Sequence, residues 1–344
     1  MVLATEQKTS SVRDFNDLTP GERSADVLDI IENQALKTPA TIDQFVSGLT
    51  WSYAKIKFDD TKTSNIGLAM SPMTYTRTLR WPGTIAGQKV SDFARWLNSW
   101  DAHEATLGLS CCNAVINRAN NVLIQSATPL PTEHDPNLAV FLHFKAKLKN
   151  KKIAVIGRYP GMDDVLSGLD YTVIERHPEK NDLPDPAAEF VLPEMDWVFI
   201  SATTLLNKTF TRLSKLSSSA VTVLMGPSTP WLREFEHFGI DFIAGVIIDD
   251  AYQTEKIVCE GGGKRLFEGG VSYAINNIST RRLSKLKIAI ADVADRRILL
   301  RAEMDAWYQQ SSTTRFPKWA KLEALDQELS LLDTAYKRLW DANQ

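Results

Sequence analysis

The spacing of apolar residues changes several times along the chain, and each change predicts a different element. From Ala25 to Leu36, the residues Val27, Leu28, Ile30, Ile31 and Ala35 recur at helical intervals. Thr19 and Pro20, just upstream, have the chemistry of an N-cap and a first helical position. Between Gly48 and Met70 the pattern alternates instead, through Trp51, Tyr53, Lys55 and Lys57 and then from Ile66 to Met70. With the turn-rich Asp59 to Ser64 between them, these two runs predict a hairpin. Helical spacing returns from Lys89 to Asn121, where Val90, Phe93, Ala94 and Leu97 share a face. Ala105 to Ala119 is rich in small residues, so Gly108 either permits close packing or divides two helices.

Pro129, Pro131 and Pro136 punctuate the exit from this half, and a helix from Ala139 to Leu148 leads into a different pattern. Five runs are continuously apolar: Lys151 to Gly157, Tyr171 to Glu175, Trp197 to Ser201, Val221 to Met225 and Phe242 to Ile248. Strands apolar on both faces, interleaved with helices, belong in a parallel sheet covered on both sides. The expected fold is therefore α/β, with a Rossmann-like, mostly parallel sheet domain at 138–276 and a smaller α+β domain with an N-terminal helix at 1–137.

Residues 277–344 read as a helical C-terminal extension. Ser279 to Ala306 and Lys318 to Asp341 are amphipathic, and Ser311 to Thr314 with Pro317 separates them. Trp307, Trp319 and Trp340, with Leu299, Leu300, Leu322, Leu325 and Leu339, form an apolar stripe too large to leave in water. The extension must dock, either on its own chain near a ligand cleft, as a lid, or on a second subunit.

Length and charge narrow the function. A chain of 344 residues exceeds one ordinary core. A net charge of −3 without any basic block argues against nucleic acid or a membrane surface as partner. Cys111 and Cys112 are adjacent on a helix and Cys259 is distant, so reduced thiols of a cytoplasmic protein are expected. The polar N-terminus lacks a signal peptide, and no run approaches the roughly 20 apolar residues of a membrane span.

In a doubly wound sheet, ligands bind beyond the carboxyl ends of the strands. The first such loop, Gly157 to Gly161, carries Arg158, Tyr159 and Pro160 where a GxGxxG loop would bring bare backbone to a pyrophosphate. This counts against NAD and FAD. Glu175 ends the second strand and suits a ribose diol, or else a surface pairing with Arg176 or Lys180. A ribose acceptor without a pyrophosphate loop matches a nucleoside such as S-adenosylmethionine.

Ser201, Thr203, Thr204, Asn207 and Thr209 make a polar mouth at the next strand end, or serve as helix caps. Gly226, Pro227 and Pro230 stiffen a loop that presents Ser228 and Thr229. Gly262 and Lys264 lie in a glycine run that could hold an anion or simply turn the chain. His103, His134, His143, His177 and His237 are scattered, and no ligand pair at metal spacing exists. The Cys111–Cys112 pair reads as two small buried hydrophobes.

The runs KIAVIGRYP, TTLLNKT, VLMGPSTP, FGIDFIAGVIIDD and EGGGKRLF resemble the heavy-metal chelation family, a Rossmann-like module of undefined activity. NIGLAM and HEATLGLSCCNAVIN resemble its usual companion, a small α+β domain similar in fold to the enolase N-terminal domain. The resemblance spans about Thr41 to Asn276 and implies a cleft between two domains. Strand-end loops and the helix carrying Asn113 and Asn117 would line it. The family name proposes metal, for which this sequence offers no ligand cluster. The tail is an addition to that core, and the cysteine pair stands where alanine-like residues are expected.

Three readings follow. The first is a small-molecule enzyme, a transferase or cyclising enzyme using S-adenosylmethionine. Gly157, Tyr159, Glu175, Thr203, Thr204 and Asn207 would meet the cofactor, and Asn113, Asn117, Ser228, Thr229, Gly262 and Lys264 the substrate. Its catalytic residues are unassigned. The second is a non-catalytic binder or chelator of a metal or metal complex, although a divalent metal is the less favoured cofactor. The third is an interaction scaffold. A small-molecule partner is expected in the first two, and a homodimer is open in all three.

Overall fold

The computed structural model describes residues 26–344, apart from 75–77, 80, 82, 132, 180 and 311–313. The N-cap expected at Thr19 lies outside the described residues. In the first half, α1 (Val27–Leu36) precedes β1 (Ala40–Ser47), β2 (Trp51–Phe58) and β3 (Ser64–Met70), and α2 (Val90–Ala94), α3 (Ala102–Ile116) and α4 (Val122–Gln125) follow. The strands form one antiparallel sheet in sequence order. β1 was not expected: its register shifts between Ile42 and Gln44, and this bulge breaks the alternation that marks a strand in sequence.

α3 lies against the sheet and the 95–98 turn at very short range. A Cβ on Gly67 would stand 2.0 Å from the amide nitrogen of Ala114, and one on Gly108 would stand 2.1 Å from that of Leu97. Gly108 therefore serves close packing, and α3 runs through it unbroken.

The second half contributes β4 (Thr128–Pro129), α5 (Ala139–Phe144), β5 (Lys152–Ile156), α6 (Met162–Val165), β6 (Asp170–Glu175) and β7 (Leu183–Pro184). It continues through α7 (Ala188–Val191), β8 (Trp197–Ser201), α8 (Thr203–Leu206), α9 (Phe210–Leu216), β9 (Val221–Met225), β10 (Phe242–Ile248), α10 (Ala251–Cys259) and β11 (Val271–Asn277). The eight strands lie in the order β4-β11-β10-β9-β8-β5-β6-β7. β5 to β10 with β7 are parallel, while β11 and β4 close the far side antiparallel. Chain order reverses between β5 and β8, which creates the switch point where such sheets open a ligand crevice.

The two halves share their apolar interior: Ile31, Ile42 and Leu109 belong to the same buried cluster as Leu224, Trp231 and Ile243. Trp231 lies so close to β10 that a Cβ on Gly245 would stand 2.7 Å from its indole.

The tail is an antiparallel helical hairpin, α11 (Thr280–Gln309) and α12 (Trp319–Ala342). Val293 and Leu300 pack on Leu322 and Leu325, with Phe316 at the turn, as a core separate from the body. The root is tied down by charge. Arg282 donates to Asp241 at 2.6 Å and to the Ala220 carbonyl at 3.0 Å, and Arg338 meets Asp196 at 2.5 Å. Leu339 and Ala342 enter the core of the body.

Asp196, Ala220 and Asp241 immediately precede β8, β9 and β10, so the hairpin docks at the amino ends of the strands. Of the two alternatives read from the sequence, this placement speaks against a lid near the cleft, because the cleft opens at the other end of the sheet. The expected stripe also needs correction: Leu299 is 66% and Trp340 49% exposed. Leu299 lies on the side of α11 turned away from α12. No described helix is long and apolar enough to cross a membrane.

Candidate functional site

The loops after β5, β6, β8 and β9 surround one open cavity of about 1180 Å³. Trp51, Met70, Trp100 and His103 of the first half form its other wall. Gly157 begins the first loop with φ +95°, and a Cβ there would meet that of Ser201 at 3.0 Å, so only glycine lets the loop fold flat across β8.

Arg158 follows, with its guanidinium on Asp182 (2.5 to 3.1 Å) and on Asp163 (2.7 Å). These hydrogen bonds hold the fully buried Asp182 carboxyl below the usual carboxylate range. Tyr159 packs edge-on against Phe141, and burial pushes its phenol up to about 12. It acts as a wall that stays protonated.

Glu175, at the end of β6, accepts the amide N–H of Arg158 at 2.9 Å and that of Arg176 at 2.7 Å. Each carboxylate oxygen takes one of these bonds and keeps a further lone pair. The Arg176 guanidinium donates to Asn207 at 2.6 Å instead of to Glu175. At the end of β8, the Ser201 and Thr203 hydroxyls meet at 2.9 Å, and Thr204 donates to the Ser201 carbonyl at 2.7 Å. Gly157, Tyr159, Glu175, Thr203, Thr204 and Asn207 thus all border the one cavity.

The six residues assigned to substrate divide. Ser228 and Lys264 border the cavity, and Gly263 beside Lys264 accepts the Trp51 indole N–H at 3.1 Å. Asn113, Asn117, Thr229 and Gly262 do not border it. The Asn113 amide donates to the carbonyls of Leu68 (2.8 Å) and Ser228 (3.0 Å). Asn117 donates to the Thr229 carbonyl and accepts the Trp231 N–H, both at 2.9 Å. The Ser228 hydroxyl accepts the Met70 N–H at 2.8 Å. These side chains stitch α3 and β3 to the stiff loop after β9, so the seam between the halves is closed by hydrogen bonds. Gly262 ends α10, where its N–H donates to the Ile257 carbonyl at 2.9 Å.

Lys208 was not singled out from the sequence, yet it borders the cavity. Its backbone is left-handed at φ +61°, and its amine donates to the Leu97 carbonyl of the first half. Burial pushes the amine down to about 8, against the nearby Asp26. The available signal was a lysine directly after Asn207, between two short helices.

Among the described residues, no group of three or more His, Cys, Asp or Glu side chains could hold a metal ion. The arrangement offers a fixed carboxylate, a hydroxyl pair and the cations Arg176 and Lys264, a set suited to a polar organic molecule.

Comparison with known proteins gives the same architecture. A crystal structure from Desulfitobacterium hafniense, a protein of unknown function from the DUF364 family, aligns with TM-score 0.60 and 25% identity. It covers 72% of this chain and 97% of that one. A DUF364 protein of unknown function from Pyrococcus horikoshii aligns with TM-score 0.60 at 20% identity, over 73% of this chain and 99% of that one, and supports the fold alone. An uncharacterized protein of Methanocaldococcus jannaschii is 30% identical over 239 residues, 65% of this chain and 85% of its own length. The DUF4213 model matches residues 28–116 and the DUF364 model residues 140–277, which leaves the helical hairpin beyond both. With both models sharing one description, and a relative covered over most of its length, the chain belongs to the family described as "Putative heavy-metal chelation".

Proposed function

We propose that the cavity binds a nucleoside-type small molecule, with S-adenosylmethionine the first candidate, and that the protein is a transferase or cyclising enzyme acting on a second small molecule beside it. The observation that carries this reading is Glu175. It is a carboxylate at the carboxyl end of the second strand, oriented by two backbone N–H groups next to Gly157. A ribose diol is accepted at that position in sheets of this order. The first loop has no glycine cradle, and the Arg158 guanidinium is engaged by two carboxylates, which disfavours a pyrophosphate. Thr203, Thr204 and Asn207 would face the remainder of the ligand, and Lys264 a carboxylate.

A metal complex is the second reading, favoured by the family description. With no cluster of protein ligands among the described residues, the organic part of such a complex would make the contacts. A thermal-shift panel of S-adenosylmethionine, S-adenosylhomocysteine, NAD and divalent metals separates the two. A ligand at 100 times its Kd adds about 2.7 kcal/mol of stability. The expected result is a shift with the two nucleosides and none with NAD. A shift with a metal alone would replace the first reading with the second.

A further inference from the structure

α11 carries two apolar stripes. Leu286, Ile290, Val293, Leu300, Met304 and Trp307 recur at intervals of three, four and seven residues. From Val293 onward this stripe packs on α12. At about 100° per residue, Ile288, Ala291, Asp295, Ile298, Leu299 and Ala302 gather on the opposite face. Ile288, Ile298 and Leu299 are 70%, 62% and 66% exposed. Among the described residues, α12 covers the first stripe, and the body of the protein meets the hairpin at its root. Three large aliphatic side chains in one row on a projecting helix are the mark of a surface that another protein covers.

We propose that this outward face of α11 pairs antiparallel, about a two-fold axis, with the same face of a second copy of the chain. The face complements itself, as a two-fold interface requires. With the axis beside Ala294, Ile288 falls against Ile298 and Leu299 of the second copy. The same register sets Lys285 opposite Glu303 and Asp292 opposite Arg296, and two-fold symmetry makes each pairing twice. On the other flank Lys287 falls level with Arg301, with Asp305 one turn further along to offset the like charges. Asp295 opposes the small Ala291, so its carboxylate can tilt toward water.

Within one copy, Arg296 meets Asp292 at 3.3 Å and Glu303 meets Lys318 at 2.6 Å, both at exposed positions where partners exchange readily. A contact along roughly 30 Å of helix lies near the lower end of stable interfaces, about 1,200 Å² in total. Association in the micromolar range is expected. The pairing is independent of the ligand in the cleft.

Sedimentation of the full chain across micromolar concentrations tests it. The parent should approach twice its 38.5 kDa mass. The double variant Ile298→Glu/Leu299→Glu should sediment as a monomer with the parent's helical content, because both side chains face water in the single chain. Asp292→Arg should weaken self-association at least tenfold, and adding Arg296→Asp should restore it by reversing the pair. A parent that stays monomeric, a dimer that survives the double glutamate variant, or a charge reversal without effect would each overturn the proposal.

Discussion

The sheet carries a buried arginine–aspartate pair at each end, and the two are built to opposite effect. At the cleft end, Asp182 accepts two nitrogens of Arg158 and the Glu179 N–H, so its charge is fully met. Hydrogen bonding wins, and the carboxyl sits below its usual range. At the hairpin end, the Arg282 contact and the Thr222 N–H and hydroxyl all fall on one oxygen of Asp241, and the other oxygen is buried without a partner among the described residues. Arg282 spends its remaining bonds on the carbonyls of Ser218, Ala220 and Gly239. Burial wins there, and the carboxyl rises to about 6. One pair shapes a wall of the cavity, and the other anchors an appendage by closing the amino ends of three strands.

The largest effect should come from breaking the anchor. Arg282→Ala leaves Asp241 buried without its counter-charge and should destabilise the protein by about 3–5 kcal/mol in urea unfolding. A loss under 1 kcal/mol would mean that the hairpin root is held mainly by Leu339 and Ala342.

Proton linkage gives a sharper contrast. Asp241 keeps its proton in the folded state while the unfolded chain releases it between about pH 4 and 6, the range from the ordinary value to the raised one. Its contribution is therefore present below pH 4 and lost as pH rises through 6, by about 3 kcal/mol at most. Asp182 works the other way: its contribution is present above the ordinary carboxylate range and is lost as pH falls below it. Urea unfolding of Asp241→Asn and Asp182→Asn at a series of pH values should remove slopes of opposite sign. Slopes of the same sign would show that the two pairs do not differ as described.

The five central strands were legible to within a residue or two, because strands buried on both faces appear as unbroken apolar runs. β11 was not, since Ser272, Asn276 and Asn277 interrupt its apolar residues, and β1 was hidden by its bulge. The hairpin helices were plain from their spacing, but which end of the sheet they cap depends on Arg282 and Arg338, ordinary surface residues in sequence.

At the site, the residues at strand ends could be found because the topology alone gathers them. Asn113, Asn117 and Thr229 are expected as ligand contacts for the same reason, yet they lie in the closed seam: the Asn113 and Asn117 amides bond backbone across it, while Asn113 Oδ1 and the Thr229 hydroxyl are buried without a partner among the described residues. A polar side chain near a strand end looks the same in sequence whether a ligand or a neighbouring carbonyl completes it. Lys208 carried too little local signal to stand out.

The most direct test of the cleft reading is calorimetric titration of S-adenosylmethionine into the parent and into Glu175→Gln. The amide keeps the shape and one acceptor for the Arg158 and Arg176 N–H groups but loses the charge. A charge-assisted hydrogen bond to a ribose diol is worth roughly 1.5–3 kcal/mol. The account predicts one site per chain in the parent and an affinity about 10- to 100-fold weaker in the variant, with the fold intact. No heat of binding in the parent, or equal affinity in both proteins, would contradict it.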